Sequence, residues 1–415
     1  MARSAAVKLQ RAIRFASPRA KSDEDLGARD DRPGANEVSE REVKVWDRPV
    51  RLFHWSLVAL VAVGAATGYS APEWWMGWHA AAGYGLVLLL VFRVVWGFFG
   101  SEYARLASFA HGPRAIAGHL RGLVLLRPPH YLGHNPTGAV MIFALIAVVF
   151  ALVVSGLLVL GGEEHQGPLA ALASFDLGAA AKAAHGPLTV LLLAMIGLHV
   201  AGVAVESLLG RENLVRAMIT GDKRLPPGTP RPRPRAARPG AAAVALGVFA
   251  LVAGGTLVGL ARLPIPDPAA LALDETYATE CGDCHAPFHP SLLPAASWAG
   301  MMAHLDDHFG EDASLDPETT RAIAAYLATN ASEFWDSEAA NRFRVVSTAA
   351  PWRITATPYW VAKHAGIAAA RFTAPPVLSK ANCAACHRDA ASGRFDDQEI
   401  VPPGTKTAGE PKTGA

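Results

Sequence analysis

The chain has 415 residues, 51% of them hydrophobic, and a formal net charge of +2. Several apolar runs of about twenty residues exclude an ordinary soluble protein, because a helix of that length crosses a bilayer core of about 30 Å. The four cysteines all lie in two Cys-x-x-Cys-His motifs, which leaves none for a structural disulfide. We therefore expect a membrane protein, with no nucleic-acid partner.

Hydropathy divides the chain into six parts. Residues 1–44 are polar and lack the apolar segment of a signal peptide, so we predict a disordered cytoplasmic tail. Residues 45–224 form a membrane domain, with helices expected at about 52–69, 78–99, 137–160 and 184–205. A Pro/Arg-rich linker, 225–240, leads to a fifth, anchoring helix at 241–263. Residues 264–403 form a soluble domain, and 404–415 are predicted to be a disordered tail.

Positive charge predicts the orientation. Lys and Arg number twelve before Leu52, four in 100–136 and eight in 206–240, whereas 70–77 has none and 161–183 has only Lys182. Positively charged loops stay in the cytoplasm, so the N-terminus is predicted to be cytoplasmic. Five crossings then place 264–415 outside the cytoplasm, with eleven basic and nineteen acidic residues. We expect a bacterial inner-membrane protein with an acidic periplasmic domain.

Four histidines of the membrane helices fall at two depths. His185 and His199 lie fourteen residues apart in the fourth helix, about 21 Å along its axis and on nearly the same face. With the predicted orientation, His54 lies level with His199, and His79 lies level with His185. Imidazole is a common axial ligand of haem iron, so these pairs predict two haem b groups. The alternatives are hydrogen-bonded core histidines in the fourth helix and interfacial roles for His54 and His79.

The soluble domain contains two haem-attachment motifs, CGDCH (281–285) and CAACH (383–387). In this motif two thiolates add to the haem vinyl groups and the adjacent histidine coordinates iron. A zinc ribbon would place its cysteine pairs about 15–20 residues apart, and a thioredoxin-type motif would need a βαβ context. We therefore predict two covalent haem c groups on Cys281, Cys284, His285, Cys383, Cys386 and His387.

Each haem c iron needs a sixth ligand from elsewhere in the domain. The candidates are His289, His304, His308, His364, Met301 and Met302. Residues 297–327 predict a helix, a turn and a second helix, with His304 and His308 one turn apart on the first helix. Asp316 and the proline after it supply the start signal of the second helix.

The membrane domain resembles the prokaryotic cytochrome b561 family, which includes the cytochrome b subunits of nickel-iron hydrogenases. The resemblance spans about 43–224 and lies in VWDRPVRLFHW (45–55), WHAAAGY (78–84), FRVVWGFFGSEYARL (92–106), GHNPTGA (133–139), AHGPL…GLHVAGV (184–203) and RENLVRAMITGDKR (211–224). It implies a four-helix dihaem bundle whose ligands match His54, His79, His185 and His199. Some relatives accept electrons from quinol, and others donate them to quinone or oxidise superoxide. His130 and His134 match a family motif, but their position in a loop argues against iron ligation.

The soluble domain resembles the dihaem cytochrome c (DHC) family through ECGDCHAPFHPSLLP (280–294), DHFGEDASLD (307–316), RITATPYW…H (353–364) and ANCAACH (381–387). In that family both irons have two histidine ligands. The matching distal positions are His308 and His364. The resemblance leaves open which of these two residues serves which haem.

Two arginines lie at the cytoplasmic level of a membrane haem. A guanidinium pairs bidentately with a carboxylate, so Arg51 or Arg93 is a candidate for holding a haem propionate. Snorkelling of the side chain to the interface is the alternative. The family resemblance also makes quinone a candidate ligand near Arg51 and the 100–136 segment.

The predicted fold class is all-α, with a transmembrane four-helix dihaem bundle, a fifth anchoring helix and a mainly α, loop-rich dihaem cytochrome c domain. The leading function is electron transfer between the quinone pool, or a membrane redox partner, and a soluble periplasmic acceptor. The acidic outer domain predicts a basic cytochrome as partner, and a homodimer is a candidate assembly. The alternative is an oxidoreductase acting on superoxide, oxygen or nitric oxide, whereas a haem-based sensor has little support.

Overall fold

The computed structural model describes residues 42–225, 230, 232–265 and 271–403, and most of the regular structure is helical. The helices are α1 (Arg48–Tyr69), α2 (Met76–Phe99), α3 (Pro113–Val124), α4 (Pro136–Gly162), α5 (Phe175–Gly210), α6 (Leu214–Thr220), α7 (Pro239–Leu260), α8 (Glu275–Glu280), α9 (Ala295–Met302), α10 (Pro317–Thr329), α11 (Glu338–Phe343), α12 (Pro358–His364) and α13 (Ala369–Thr373). Strands β1 (Glu42–Lys44) and β2 (Asp222–Arg224) form a two-stranded sheet.

Five helices, α1, α2, α4, α5 and α7, are long and apolar enough to cross a membrane. The start of α1 is joined to the end of α2 by one carboxylate. Asp47 Oδ1 caps α1 by accepting from the Val50 N–H at 2.9 Å. Its Oδ2 accepts from Trp96 Nε1 at 3.0 Å and from the Ser101 hydroxyl at 2.7 Å. Helices α1 and α2 therefore meet in a defined register.

Helices α4 and α5 pack most closely where glycines meet. A Cβ atom on Gly162 would lie only 2.8 Å from Gly178 Cα, so neither position has room for a larger residue. The centre of the bundle is apolar and contains the buried side chains of Leu90, Val149, Leu152 and Leu192. Leu90 lies on α2 and Leu192 on α5, so the two helices that carry His79 and His185 share this core.

The soluble domain has its own apolar core under its loops. Fully buried side chains include those of Leu293, Ile323 and Leu327. Helix α10 begins at Pro317, where Asp316 accepts from the N–H groups of Glu318 and Thr319, as the sequence predicted. The core supports the loops that carry both Cys-x-x-Cys-His motifs.

Several boundaries differ from the sequence expectations. The last three residues of the predicted 1–44 tail form β1, because Val43 buries its side chain and Lys44 pairs with Asp222; residues 1–41 and 404–415 lie outside the described residues. Helix α7 begins at Pro239 rather than 241, since proline is tolerated in the first helical turn. Helix α5 spans 175–210, well beyond the predicted 184–205, because the Ser174 hydroxyl caps its start.

Candidate haem sites

His79 on α2 and His185 on α5 face each other near one end of the bundle. Their ring centroids lie 6.1 Å apart. A metal–nitrogen bond of about 2 Å on each side, with the nitrogen about 1 Å from its ring centre, puts two axial imidazoles about 6 Å apart. The residues present therefore fit one iron between these two rings.

The hydrogen bonds of both rings support that arrangement. His79 Nδ1 lies 3.1 Å from the carbonyl oxygen of Gly64, which can only accept. The Ser155 hydroxyl donates to Leu152 O at 3.0 Å, so its oxygen accepts from His185 Nδ1 at 2.9 Å. These partners place the proton of each imidazole on Nδ1 and leave the Nε2 lone pair available for a metal.

His54 on α1 and His199 on α5 are the predicted second membrane pair. His199 lies fourteen residues beyond His185, so it lies toward the other end of the bundle. His54 Nδ1 is buried without a hydrogen-bond partner. Such a buried polar atom is costly in an apolar bundle, which is consistent with a site completed by a bound group.

The two attachment motifs each meet a different distal histidine. The ring centroids of His285 and His308 lie 6.2 Å apart, and those of His364 and His387 lie 6.3 Å apart. Both separations fit the spacing of two axial imidazoles by the same reasoning as for the membrane pair. The structure thus brings together the pairs that the sequence left unassigned.

Local contacts orient the distal ring of the second motif. His364 Nδ1 donates to Trp360 O at 2.8 Å, and its ring stacks on the Trp360 indole at 4.3 Å. Burial, followed by the neighbouring His364, lowers the pKa of His387 to about 4. His387 is therefore neutral at pH 7, which is the form of imidazole that binds a metal.

No disulfide joins any of the four cysteines, all of which lie within the described residues. Burial raises the pKa of Cys281 and that of Cys383 to about 11. These thiols are protonated at neutral pH, unlike the activated thiolates of dithiol oxidoreductases. Haem attachment thus remains the better interpretation of both motifs.

The other candidates for the sixth ligand have roles within the protein. His289 is fully buried, and its Nδ1 lies 2.8 Å from the Ser291 hydroxyl. His304 donates from Nδ1 to Gly300 O at 2.9 Å and stacks on Trp352. The expectation that His304 and His308 share a helix is wrong, because α9 ends at Met302 and a 3-10 turn, Leu305–Asp307, separates the two histidines. Met301 packs against the core of the soluble domain and Met302 is buried within it.

A cavity of about 430 Å³ adjoins His308. It is lined by Met301, His304, His308, Phe309, Trp352 and Arg353, among others. The Arg353 guanidinium lies over the Phe309 ring at 4.3 Å. Sequence analysis did not single out Arg353, although it opens one of the motifs that carry the resemblance.

Both candidate propionate-binding arginines contact protein groups. Arg93 is buried, donates to Ala104 O at 3.0 Å and lies over the Phe109 ring. This burial within the protein argues against the snorkelling alternative for Arg93. Arg51 donates through Nη1 to Ile219 O, next to the turn that joins α6 to β2.

The histidines of the loop before α4 make other contacts. His134 lies between the rings of Trp46 and Phe109, each with a centroid 4.5 Å away, and burial lowers its pKa to about 3. His130 Nε2 lies 3.6 Å from a carboxylate oxygen of Glu212. These positions agree with the argument against iron ligation by either residue.

Sequence reasoning missed a buried polar cluster near the end of α5. His119 on α3 is buried, with Nδ1 2.8 Å from the Thr137 hydroxyl and Nε2 3.0 Å from Glu206. Glu206 also accepts from Asn135 Nδ2 at 3.1 Å. No spacing pattern could reveal this cluster, because its members come from separate elements.

Two family models match the chain, one on each side of the anchoring helix. Residues 45–221 match prokaryotic cytochrome b561, and residues 277–395 match dihaem cytochrome c. The first region is similar to a "Probable Ni/Fe-hydrogenase B-type cytochrome subunit" of Azotobacter chroococcum mcd 1, at 28% identity over 210 residues, 43% of this chain and 87% of the relative.

Two solved structures are similar to the soluble domain. A diheme cytochrome c from Rhodobacter sphaeroides is 40% identical, covering 30% of this chain and 98% of its own, with a TM-score of 0.27. A diheme cytochrome type c from Shewanella baltica OS155 is 33% identical, covering 32% of this chain and 96% of its own, with a TM-score of 0.26. The sequence matches thus cover both domains in the predicted order.

Proposed function

We propose that this chain, which joins a prokaryotic cytochrome b561 domain to a dihaem cytochrome c domain, passes electrons between the quinone pool, or a membrane redox partner, and a soluble periplasmic acceptor. The family matches support a multi-pass membrane protein that binds haem b and haem c and transfers electrons. Bound haem would supply the one-electron redox chemistry of iron. The protein supplies ligands, positions and charges.

One observation carries the proposal. Three histidine pairs, His79 with His185, His285 with His308, and His364 with His387, have centroid separations of 6.1, 6.2 and 6.3 Å. We assign two protein ligands to each of these irons, and to a fourth between His54 and His199. Sites with two histidine ligands leave no open position for a substrate, which favours electron transfer over catalysis on a small molecule.

The attachment residues have their own roles in this account. Cys281 and Cys284 would hold one haem c covalently, and Cys383 and Cys386 would hold the other. Arg353, beside the cavity at His308, is placed to pair with a propionate of the first of these groups. For the membrane haem near His54, Arg51 and Arg93 remain the candidates.

The experiment that tests this function uses the purified protein in nanodiscs. A quinol analogue is added, and a basic soluble cytochrome c is supplied as acceptor. Our account predicts reduction of the b and c absorption bands, followed by reduction of the acceptor. Bands that stay oxidised with quinol, and with every membrane donor tried, would overturn the proposal.

A further inference from the structure

Four residues of the soluble domain bond to residues of the membrane domain. Lys363 Nζ pairs with Glu73 at 2.6 Å, just before α2. Arg342 Nη2 pairs with Glu163 at 3.3 Å, where α4 ends. Further hydrogen bonds join Asp336 to the Phe175 N–H at 3.0 Å and Gln398 to Gln166 at 2.7 Å. All of these contacts lie at the end of the bundle that holds His79 and His185.

The interface adjoins the second attachment motif. Lys363 directly precedes His364, the distal histidine of that motif. On the other side of the site, Val401 N–H donates to Cys386 O at 2.7 Å, and a β-bridge joins His387 to Ile400. His364 thus directly follows a residue that contacts the membrane domain, and His387 is bridged to Ile400, two positions after Gln398, which contacts Gln166.

The membrane side of the interface adjoins the His79 site. The Gln398 side chain lies against Gly77, where a Cβ atom would be 3.1 Å from its Oε1. Gly77 lies two residues before His79 in the first turn of α2. A short chain of contacts therefore links the two sites.

The residues of the first attachment motif take no part in these interdomain bonds. None of the soluble-domain residues in these interdomain bonds falls within 271–320, which contains Cys281, Cys284, His285 and His308. That segment carries ten acidic residues and no Lys or Arg. Exposed side chains beside the site include those of Asp283, Asp306, Asp307 and Glu311.

We propose that the site of Cys383, Cys386, His387 and His364 is docked on the His79/His185 end of the bundle and exchanges electrons with it directly, and that the site of Cys281, Cys284, His285 and His308 is the outer site, which meets a basic redox protein. This order rests on the proposed function. One electron at a time moves between neighbouring sites, with quinol as the reductant and the soluble cytochrome as the oxidant. Transfer in the opposite direction would use the same order.

Docking can be tested without any electron transfer. Membranes containing the full protein are treated with a carbodiimide, which joins a lysine to a carboxylate in contact with it, and the peptides are analysed by mass spectrometry. We expect a crosslink between Lys363 and Glu73, together with one between Lys44 and Asp222 as the internal control, whose atoms lie 3.1 Å apart. The control crosslink without the Lys363–Glu73 crosslink would overturn the docking.

The order is tested with two variants that each lose one covalent haem. Cys281→Ala/Cys284→Ala removes attachment at the outer site, and Cys383→Ala/Cys386→Ala removes it at the docked site. After rapid reduction of the b bands by quinol, the first variant is expected to reduce its remaining c band at the wild-type rate. In the second variant, reduction of the remaining c band is expected to slow by more than about tenfold, because the docked site between the bundle and the outer site lacks its haem.

The outcomes separate this inference from the proposed function. Slower reduction of the c band in the first variant, with no slowing in the second, would reverse the assigned order of the docked and outer sites. Equal rates in both variants would overturn it as well. Bands that quinol fails to reduce in the wild type would instead contradict the proposed function, and the crosslink would still decide whether the domain is docked. A charge reversal at Arg342, described below, provides a variant that keeps all four haem sites.

Discussion

The Ser155 hydroxyl determines which nitrogen of His185 carries the proton. Because the hydroxyl donates to Leu152 O, its oxygen accepts from His185 Nδ1 and leaves Nε2 directed to the space shared with His79. Partners of this kind orient a metal-binding histidine and raise its basicity, and their loss commonly costs about 10- to 100-fold in metal affinity.

Ser155→Ala should therefore weaken retention of one haem b and shift its midpoint potential. The reason is that His185 loses its Nδ1 acceptor while the bundle keeps its packing. Haem content after purification and a redox titration of the b bands measure both effects. Thr256→Val is the matched control, since Thr256 makes its hydroxyl bond to Val252 O within the anchoring helix. Equal behaviour of the two variants would contradict the role of Ser155.

His308→Ala and His364→Ala should each convert one c site to high spin. Each removes the ring that faces an attachment histidine at about 6 Å, so one axial position opens. Absorption and electron paramagnetic resonance spectra distinguish the two spin states. Each variant should also bind carbon monoxide at one c site when reduced.

His304→Ala is the matched control for these two variants. His304 hydrogen-bonds to Gly300 O and stacks on Trp352, so its loss should leave both c sites low spin. A high-spin signal in His304→Ala, with an unchanged spectrum in His308→Ala, would exchange the assignments of the two residues.

Arg342→Glu should loosen the soluble domain from the bundle. Arg342 pairs with Glu163, whose side chain is only 1% exposed, and lies over the Phe175 ring at 5.0 Å. Arg342 itself is 37% exposed and Glu163 keeps its contact with Lys182 in the variant, so the main effect is the repulsion between the new carboxylate and Glu163. We expect weaker Lys363–Glu73 crosslinking and slower reduction of the c bands.

The control for this reversal is Arg321→Glu, on α10. Arg321 is exposed and donates to Pro317 O within its own helix. This variant should crosslink like the wild type. If Arg321→Glu and Arg342→Glu lose the Lys363–Glu73 crosslink to the same extent, the loss is caused by the change in net charge. The contact of Arg342 with Glu163 would then not be needed for docking.

Glu164 should make stability depend on pH. Burial, followed by the negative charges of Asp397, Glu338 and Asp396, raises the pKa of Glu164 to about 8 from a usual value of 4.5. Between these pH values the folded protein binds more protons than the unfolded chain, so the free energy of unfolding falls as pH rises, by at most about 1.4 kcal/mol per pH unit from this group. The stabilising contribution of Glu164 to the free energy of unfolding is fully present below pH 4.5 and is lost above pH 8.

Glu164→Gln tests this pH dependence. The glutamine does not ionise, so the difference in Tm between variant and wild type should grow in favour of the variant from pH 4.5 to 8 and then level off. Thermal unfolding at several pH values measures it. A difference that stays constant over this range would mean that Glu164 titrates alike in both states.

The acidic surface around the first attachment motif should guide a basic partner. Asp283→Asn/Asp307→Asn neutralises two exposed carboxylates and should slow the bimolecular oxidation of the c bands by a basic cytochrome at low salt, because exposed charges steer the encounter. The rate should also depend less on salt concentration, because ions screen these charges. Stopped-flow rates at several ionic strengths provide the measurement. Asp176→Asn, an exposed carboxylate of the membrane domain, is the control; the same loss there would argue against a local docking surface.

Sequence patterns could predict much of this molecule because its signals are local or periodic. Long apolar runs mark the five helices, and each Cys-x-x-Cys-His motif carries its chemistry within five residues. The prediction that His79 and His185 lie at the same depth followed from the rise per residue of an α-helix and from the predicted topology alone. These are properties of one segment at a time, or of segments crossing the same bilayer.

The remainder depends on tertiary packing that no local pattern encodes. Lys363 and Glu73 are 290 positions apart, and their contact is visible only in the structure. The pairing of His308 with the first motif and of His364 with the second was open for the same reason. His304 was placed on a helix because an apolar pattern does not reveal that α9 ends at Met302.

The central claim, four closed sites with two histidines each, is tested most directly by a pyridine haemochrome spectrum of the purified protein and by carbon monoxide added to the reduced sample. Our account predicts two haem b and two haem c per chain, with no shift of either set of bands by carbon monoxide. A carbon monoxide shift in the c bands, or fewer than two haem b per chain, would contradict it.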